Sequence, residues 1–465
     1  MARHHFVVLS FPAQGHVNPN LQLSHRLLRI GVVRVTFVTS TYARILLGPP
    51  NKHPEGLKFV EYNDGYDGKF KRGEEADQMI ARRKLAGSDA LRQVVSSAAD
   101  EGCPVTCVTY SLLLPWVAAV ARELHVQSAF VWIQAATMFD IYYYYNHGFD
   151  AFIHEKLDDK VPSAATLKLP GLPLEFTSRD VPSYMLTNKS NAAAANGIFS
   201  DHMAELDVVG ASPAIVIVNT FDALEPEALT CISKLKLTPV GPLIPLAFLH
   251  REDPSDTSNN NNSSHVSWLD SKPDSSVIYV SFGSMKSVLS SQQIEEIGRG
   301  LLDLGKPFLW VIRELENKSS DENKNVIMSC MEELEQLGLM VPWCSQLQVL
   351  SHPAIGCFFT HCGWNSTTEG MISGVPMVAF PQLFDQFTNA KLVEDYWKVG
   401  VRVNQNLSDG LVERNEIKRC LEVVMGDVEM RRNTEKWKKL AVEAVKEGES
   451  SDKNLRDLVN NLVTC

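Results

Sequence analysis

The fold class follows from residues 5–39, which read HFVVLSFPAQGHVNPNLQLSHRLLRIGVVRVTFVT. The first seven residues form a short β-branched and aromatic run, typical of a strand that is buried on both faces. Turn residues follow at Pro12, Gly15 and Pro19, and leucines at helical spacing then predict a helix before a second strand at 33–39. A strand, a helix and a strand in this order predict a parallel sheet with a right-handed crossover.

The same alternation recurs along the chain and predicts two domains. Further strands are predicted at residues 106–109, 129–132, 214–219, 276–282, 308–312, 338–341, 355–360 and 376–380. Between the third and fourth of these, residues 250–264 are rich in Asn, Ser and Asp and indicate a flexible linker. We therefore predict an α/β protein with two Rossmann-like, doubly wound domains whose facing strand ends form a ligand cleft.

The length of 465 residues is too great for one hydrophobic core and fits this division. We expect the first domain at 1–249, the linker at 250–264 and the second domain at 265–447. Leucine and valine at helical spacing predict a last amphipathic helix at 448–465, which we expect to pack back on the first domain.

Composition and charge exclude several classes of partner. The formal net charge of −11 disfavours nucleic acid, because phosphate backbones require basic patches. The nine cysteines are scattered and form no C-x-x-C pair, which argues against a structural zinc site and fits a reducing cytoplasm. We identify no signal peptide and no apolar stretch long enough to span a membrane, and a monomer is the default expectation.

Several nucleotide-binding and catalytic motifs are absent. There is no P-loop, no G-x-G-x-x-G after the first strand, no G-x-S-x-G elbow and no H-E-x-x-H. The chain also lacks a D-x-D triplet, the kind of carboxylate pair that could hold a divalent ion on a diphosphate. If a nucleotide binds, we therefore expect it to bind without a metal.

His16 is the first candidate for a catalytic residue. It follows the first predicted strand, at the edge of the sheet where α/β folds bind their ligands. Imidazole titrates near neutral pH and suits a general base. The alternative is a loop histidine with structural contacts only.

The second candidate site is the stretch THCGWNSTTEG at residues 360–370, which joins a predicted strand to a predicted helix. Ser366 and Glu369 fit a capping box, in which two side chains satisfy N–H groups at a helix start. The alternative is an anion site, because a helix start after Gly363 offers N–H groups and a partial positive charge, and His361 and Asn365 add donors.

Residues on both sides of this stretch extend the candidate site. Downstream, Asp385 and Gln386 end a predicted strand with a carboxylate and an amide, which suit sugar hydroxyls. Upstream, Trp343 could supply a stacking face and Gln346 an amide for a base and a ribose. The alternatives are partial burial for Trp343 and a solvated loop for Gln346.

The 44 residues from Trp343 to Gln386 resemble the signature box of plant UDP-dependent glycosyltransferases. Trp, Gln, the run His-Cys-Gly-Trp-Asn-Ser, Glu and Asp-Gln all recur at the family spacing, and FPAQGHVNP and VSFGS match elsewhere. Within the family, residues 11–27 and 132–145 most resemble the branch of anthocyanin 5-O-glucosyltransferases and of enzymes that form glucose esters of carboxylic acids. The resemblance implies a glycosyltransferase B fold with an N-terminal acceptor domain and a C-terminal donor domain.

The resemblance also assigns roles to residues of the donor site. Trp343 would stack on uracil, the Cys344 backbone would bind the base, and Gln346 and Glu369 would hold the ribose. The diphosphate would be bound by Ser284, His361, Gly363, Asn365 and Ser366, with Trp364 contributing through its backbone. Asp385 and Gln386 would grip the sugar, and the terminal Gln usually accompanies glucose.

The implied reaction is an inverting, metal-independent transfer of glucose from UDP-glucose to a small plant metabolite, such as a flavonoid, an anthocyanin, a phenol or a hormone or apocarotenoid acid. His16 would remove the acceptor proton, and the product would be a β-glucoside or a glucose ester. The alternative is a nucleotide-sugar-binding protein without turnover. Candidate acceptor-lining residues in the N-terminal loops are Gln14, Trp132, Gln134, Met138 and Tyr142.

One position departs from the family pattern. The segment 110–116 reads YSLLLPW, so Ser111 stands where most members carry the Asp that orients the base histidine. A hydroxyl can accept a hydrogen bond from imidazole but cannot neutralise an imidazolium. We expect a weaker base and a preference for acceptors that need little activation, such as carboxylates or acidic phenols. Asp140 is a conceivable substitute carboxylate.

Overall fold

The computed structural model describes residues 4–48, 53–66, 76–157, 166–182, 185, 190–208, 214–250, 264–283, 289–312, 329–406 and 410–462. The chain divides into two compact units. The first comprises Met1–Glu175, Tyr184–Pro245 and Glu443–Cys465, and the second comprises Phe176–Ser183 and Leu246–Val442. Most of the expected linker, residues 251–263, lies outside the described residues.

A seven-stranded parallel sheet forms the core of the first unit. The strands up to residue 239 are β1 (His5–Leu9), β2 (Arg34–Ser40), β3 (Leu57–Tyr62), β4 (Cys107–Ser111), β5 (Gln127–Trp132), β6 (Leu167–Lys168), β7 (Glu175–Phe176), β8 (Ile215–Val218) and β9 (Lys236–Pro239). The order is β3-β2-β1-β4-β5-β8-β9, and β6 and β7 form a separate pair. The central strands β1 and β4 are buried throughout, because helices cover both faces of the sheet.

Helices connect these strands. They are α1 (Gln14–Arg29), α2 (Ala76–Asp100), α3 (Trp116–Glu123), α4 (Ala136–Tyr144), α5 (Asp150–Leu157), α6 (Ser190–Asp207) and α7 (Ala228–Cys231), with a 3-10 turn at Tyr42–Leu47 and a wide turn at Tyr145–Phe149. The turn expected over residues 12–19 is shorter than predicted, because α1 already begins at Gln14 and contains Pro19. Burial of Val17, Leu21 and Leu23 stabilises these early turns despite the proline.

The second unit is built on a six-stranded parallel sheet. Its elements are α8 (Leu246–His250), α9 (Ser264–Asp270), β10 (Val277–Ser281), α10 (Ser291–Leu304), β11 (Phe308–Val311), α11 (Met331–Leu337), β12 (Leu339–Val341), α12 (Gln346–Leu350), β13 (Ile355–Thr360), α13 (Trp364–Ser373), β14 (Met377–Ala379), α14 (Gln386–Lys391), a wide turn at Leu392–Tyr396, β15 (Gly400–Arg402), α15 (Arg414–Gly426) and most of α16 (Val428–Ala444). The strand order is β12-β11-β10-β13-β14-β15.

The last helix, α17 (Ser450–Asn461), belongs to the first unit. Leu455, Leu458 and Val459 are buried along one side of it. The Ser451 hydroxyl donates to the carbonyl oxygen of Gly241 at 2.7 Å, and the Asn454 amide donates to that of Pro239 at 3.0 Å. The chain therefore returns to the end of β9 after it has built the second unit.

A short segment from the middle of the chain, Phe176–Ser183, belongs to the second unit although first-unit residues flank it. The Asp180 carboxylate accepts a hydrogen bond from Arg402 Nη1 at 2.9 Å, and both side chains are buried. The Thr388 hydroxyl donates to the Asp180 carbonyl oxygen at 2.7 Å. A buried ion pair and a main-chain contact therefore anchor this segment to β15 and α14.

The predicted α/β fold is confirmed: every predicted strand is present, with ends that differ by one or two residues at most. In each sheet the strand order reverses between two central neighbours, β1 and β4 in the first and β10 and β13 in the second. Such switch points are where open α/β sheets bind ligands. His16, in the first turn of the helix after β1, and His361, in the loop after β13, follow strands at these points.

Candidate functional site

The loop after β13 leads into a helix whose N-cap residue is a glycine. Helix α13 begins at Trp364, with Gly363 as N-cap, so the N-cap residue makes no side-chain hydrogen bond. The capping box predicted from Ser366 and Glu369 is therefore wrong, because Ser366 is already the third residue of the helix. The helix starts earlier since Cys362 takes a left-handed conformation with φ of 60° and turns the chain directly into it.

Three polar side chains predicted for the site lie in one hydrogen-bonded group. Gln346 Nε2 donates to Ser366 Oγ at 2.9 Å and to Glu369 Oε2 at 2.7 Å. A fourth residue that the sequence did not point to, Tyr279 on β10, donates its hydroxyl to Gln346 Oε1 at 3.4 Å. Tyr279 is buried and stacks on Phe358, so a rigid strand orients the amide.

The Glu369 carboxylate has an unusual pKa. Burial raises it to about 7, while the hydrogen bond from Gln346 acts in the opposite direction. Near neutral pH this group therefore exists in both protonation states, and it can either accept or donate a hydrogen bond to a hydroxyl group. Such versatility suits a partner that carries hydroxyls.

His361 is packed between two glycines. A Cβ atom on Gly283, which has φ of 88°, would lie 2.6 Å from His361 Nε2, and so would a Cβ atom on Gly363. Only glycine leaves room for the ring at both positions. Burial lowers the pKa of His361 to about 4, with the Ser281 backbone acting in the opposite direction. The ring is therefore neutral at pH 7 and offers one N–H donor and one acceptor nitrogen. Ser284, the next predicted residue, lies outside the described part of the chain.

Asp385 is held next to the start of α13. Its buried carboxylate accepts a hydrogen bond from Asn389 Nδ2 at 2.7 Å and is also bonded to the backbone of Trp364. Burial raises the pKa of Asp385 to about 6, and these hydrogen bonds pull it down. The group is therefore mainly ionised at pH 7, although water is largely excluded from it.

Gln386, the first residue of α14, has a fixed amide orientation. Its Oε1 accepts hydrogen bonds from the backbone N–H groups of Gln382 and Leu383 at 2.8 and 2.9 Å. Because the oxygen is used in this way, Nε2 is the atom that can donate to a ligand. A carboxylate at 385 and an amide donor at 386 together offer both hydrogen-bonding roles to hydroxyl groups.

The remaining predicted residues differ in exposure. Trp343 is 59% exposed, so the partial burial considered for it is wrong, and its ring is a free stacking face. The Cys344 side chain is buried, and burial raises the pKa of its thiol to about 11, which makes it an unreactive packing residue. The Trp364 indole is also buried, so only its backbone can take part in a site. Asn365 is partly exposed.

In the first unit, His16 lies in the first turn of α1 rather than in a loop. Its ring packs against Phe11, with 5.1 Å between ring centroids. Burial lowers the pKa of His16 to about 4, and the Leu112 backbone acts in the opposite direction. The imidazole is therefore neutral at pH 7 and able to accept a proton, but it is a weak base.

Ser111 does not serve as the hydrogen-bond acceptor for His16 that we considered. Its hydroxyl accepts a hydrogen bond from the Phe11 N–H at 3.0 Å and contacts the Leu112 carbonyl oxygen at 3.4 Å, so it ties β4 to the end of β1. Asp140 is a poor anionic substitute. Burial and the neighbouring Glu225 carboxylate raise the pKa of Asp140 well above its usual range, which disfavours its ionised form.

The candidate acceptor residues divide into two groups. Trp132, Met138 and Tyr142 are fully buried, and Trp132 packs edge-on against Phe139 and Tyr142. The structure thus favours core roles for these three. Gln14 and Gln134 are partly exposed beyond the ends of β1 and β5. The Gln134 Oε1 atom has no hydrogen-bond partner among the described residues.

The described ranges contain neither a candidate metal-binding cluster nor a candidate membrane-spanning helix. No group of three or more His, Cys, Asp and Glu side chains there could hold a metal ion. Likewise, no helix in the described part of the chain is long and apolar enough to cross a membrane.

Comparison with known proteins matches residues 255–446 to the family model of UDP-glucoronosyl and UDP-glucosyl transferase. Phloretin 4'-O-glucosyltransferase of Malus domestica is 51% identical over 99% of this chain and 98% of its own length. Crocetin glucosyltransferase, chloroplastic, of Gardenia jasminoides is 48% identical over 98% of this chain and 97% of its own length. Anthocyanidin 3-O-glucoside 5-O-glucosyltransferase of Verbena hybrida is 43% identical over the full length of both chains.

Solved structures agree with the sequence relatives. The crystal structure of Os79 from O. sativa in complex with UDP superimposes with a TM-score of 0.83 at 32% identity, over 98% of this chain and 100% of that one. That of Phytolacca americana UGT2 with UDP-2fluoro-glucose and pterostilbene gives 0.81 at 25% identity, over 99% and 100%.

Proposed function

The chain belongs to the UDP-glucuronosyl and UDP-glucosyl transferase family, and from this premise we propose that it transfers glucose from UDP-glucose to a hydroxyl or carboxyl group of a small plant metabolite. The named relatives are glucosyltransferases, which disfavours the alternative of a binding protein without turnover. These relatives are named for the acceptors phloretin, crocetin and an anthocyanidin 3-O-glucoside, which define the range of metabolites to test first.

The observation that carries this proposal is the group of polar residues at the switch point of the second sheet. There the N-terminus of α13, with glycine as its N-cap, adjoins the bonded side chains of Gln346, Ser366 and Glu369. A helix N-terminus attracts phosphate through its N–H groups and dipole, worth about 0.3–1 kcal/mol per charge at an exposed site. The neutral His361 beside it adds an N–H donor without the cost of burying a charge.

In the proposed donor complex each part of UDP-glucose has its own residues. Uracil stacks on the exposed Trp343 and bonds the Cys344 backbone, and the ribose hydroxyls bond Gln346 and Glu369. The diphosphate takes N–H and hydroxyl donors from His361, Gly363, Trp364, Asn365 and Ser366, with Ser284 included by resemblance alone. Asp385 accepts from the glucose hydroxyls, and the Gln386 amide nitrogen donates to them.

The proposed reaction is a single displacement with inversion at the anomeric carbon. His16 takes the proton of a hydroxyl acceptor while the acceptor oxygen bonds to C1 of glucose and the bond from C1 to the diphosphate oxygen breaks. UDP leaves with that electron pair, and the donors at the start of α13 stabilise its charge. A carboxylate acceptor is already ionised near pH 7 and makes no demand on His16.

Three further parts of the proposal concern the setting of the reaction. We assign donor binding to the second unit and acceptor binding to the first, with Gln14 and Gln134 as the retained acceptor-contacting candidates. The reaction needs no metal ion, because N–H donors meet the diphosphate. The protein acts as a monomer in the cytoplasm. The free thiols at all eight described cysteines are in keeping with a reducing cytoplasm.

The test is release of UDP from UDP-glucose by the purified chain with a panel of phenols and carboxylic acids. His16→Ala should lower kcat/KM for phenols by about 10²- to 10⁴-fold, the usual contribution of a general base. The loss for carboxylates should be smaller, and the affinity for UDP should stay within about threefold.

His147→Ala is the matched control, since His147 pairs with Asp207 at the surface of the same unit. It should leave transfer unchanged. Retained phenol turnover in His16→Ala would contradict the role of the base, and a wild type that releases no UDP would contradict the proposed function itself.

A further inference from the structure

We propose that Asn389 is a positioning residue that joins the Asp385 carboxylate to the turn before α13 and thereby fixes the grip on the glucose of the donor. This inference rests on the proposed function, because it takes Asp385 as the residue that contacts the sugar. Asn389 lies in the first turns of α14 and is fully buried.

One nitrogen atom makes both connections. Asn389 Nδ2 donates to Asp385 Oδ2 at 2.7 Å and to the carbonyl oxygen of Cys362 at 2.9 Å. A carboxylate and a carbonyl can only accept, so the nitrogen of the amide must face them and the oxygen must not. Neither Asp nor Ser at position 389 could supply two such N–H donors.

The two groups that Asn389 joins belong to different parts of the proposed donor site. Cys362 precedes the N-cap of α13 and has φ of 60°, a strained conformation for a residue other than glycine. The Asn389 amide bonds this carbonyl oxygen, so Asp385 keeps a fixed place relative to the start of α13. Asp385, which contacts the sugar, accepts a hydrogen bond from the same amide nitrogen.

The loss of Asn389 would act on Asp385 in a defined way. The carboxylate is buried, and its hydrogen-bond donors are the Asn389 amide, its own backbone and the backbone of Trp364. Without Asn389 it would lose a charge-assisted hydrogen bond and would turn away or take up a proton more readily. In either case the sugar loses its acceptor, whereas the uracil and ribose contacts are untouched.

The amide oxygen of Asn389 argues against a purely structural role. The Asn389 Oδ1 atom is buried and has no hydrogen-bond partner among the described residues. An unsatisfied buried carbonyl oxygen lowers the stability of a fold. Asn389 therefore stabilises the fold poorly, while its nitrogen is placed at two site groups.

The experiment is a double-mutant cycle in the full chain, with kcat/KM for UDP-glucose and the inhibition constant for UDP as the two readouts. We expect Asn389→Ala and Asp385→Asn each to lower kcat/KM by about 10-fold or more, a typical effect of losing a residue that orients a site group. The inhibition constant for UDP, which lacks the sugar, should change by less than about threefold. The double variant should be no worse than about twofold below Asp385→Asn, because both changes remove the same contact.

Thr388→Val is the control, since this buried neighbour in α14 loses a hydrogen bond to Asp180 but none to Asp385. It should keep kcat/KM within about twofold. If Asn389→Ala fails to fold, Asn389→Leu keeps a similar size without the two donors and without a second carboxylate, and should show the same pattern. Additive losses, or equal losses for UDP and UDP-glucose, would overturn the inference alone. An inactive wild type would overturn the proposed function and the inference with it.

Discussion

At His16, burial sets the chemistry. Burial lowers the pKa of this ring and the Leu112 backbone raises it, and together they leave the pKa at about 4. A carboxylate partner would raise the pKa, but Ser111 stands where the family usually has one, and its hydroxyl is bonded to the Phe11 N–H. Each pKa unit corresponds to about 1.4 kcal/mol in the affinity for a proton, so this base is weak. Such a base favours acceptors that are ionised before they bind.

Ser111→Asp should reverse this preference. A carboxylate at the end of β4 would raise the pKa of His16, and kcat/KM for phenols should rise about 10-fold relative to carboxylates, as expected of a stronger general base. The pH profile of phenol transfer should shift its acidic limb to higher pH. Ser111→Asn, of the same size but neutral, should produce neither change. An unaltered ratio between the two acceptor classes in Ser111→Asp would refute the explanation.

At the scale of elements, helix starts and strand ends position the site. Helices α1 and α13 each begin a few residues after a central strand, and neither is capped by a side chain. Helix α14 places Gln386 and Asn389 beside α13.

Elsewhere in the first unit, α6 packs His202 onto the sheet, with its ring stacked on Phe130 at 4.3 Å between centroids. Both ring nitrogens of His202 are buried and have no partner among the described residues.

His202→Phe should stabilise the first unit, and more so in acid. Burial lowers the pKa of His202 to about 3, whereas the unfolded chain titrates near 6.5, so the unfolded state binds more protons between these values. Stability that is present above pH 6.5 is therefore lost as the pH falls. Urea unfolding should show a gain of about 1–2 kcal/mol at pH 7 from removing unsatisfied polar atoms. At pH 5 the gain should be larger by about 2 kcal/mol. The same gain at both pH values would contradict this assignment.

The sequence predicted the central strands because they are continuous apolar runs. It missed β3, β6, β7, β9 and β15, since β3 is half-exposed and interrupted by Lys58 and Glu61, and the other four are only two to four residues long. The signature box identified the candidate site residues by their spacing. Tyr279 and Asn389 were not found, because their roles depend on which groups the fold brings within hydrogen-bond distance. The capping box failed for a related reason: the conformation of Cys362 decides where α13 begins.

At the scale of the whole molecule, the two units do not follow the order of the chain. Residues 176–183 belong to the second unit and residues 443–465 to the first, so the chain passes from one unit to the other four times. The buried pair of Asp180 and Arg402 anchors one of these segments, and α17 anchors another. The proposed division of labour, with acceptor binding in the first unit and donor binding in the second, requires both units in one polypeptide.

The configuration of the first product tests the central claim most directly. Purified protein is given UDP-α-glucose and a phenolic or carboxylic acceptor in the presence of EDTA, and the anomeric proton of the product is followed by NMR from the first turnovers. The proposal predicts a β-linked glucose on the acceptor, formed at an undiminished rate without divalent metal. An α-linked product, or no glucosylated product until a metal ion is added, would contradict it.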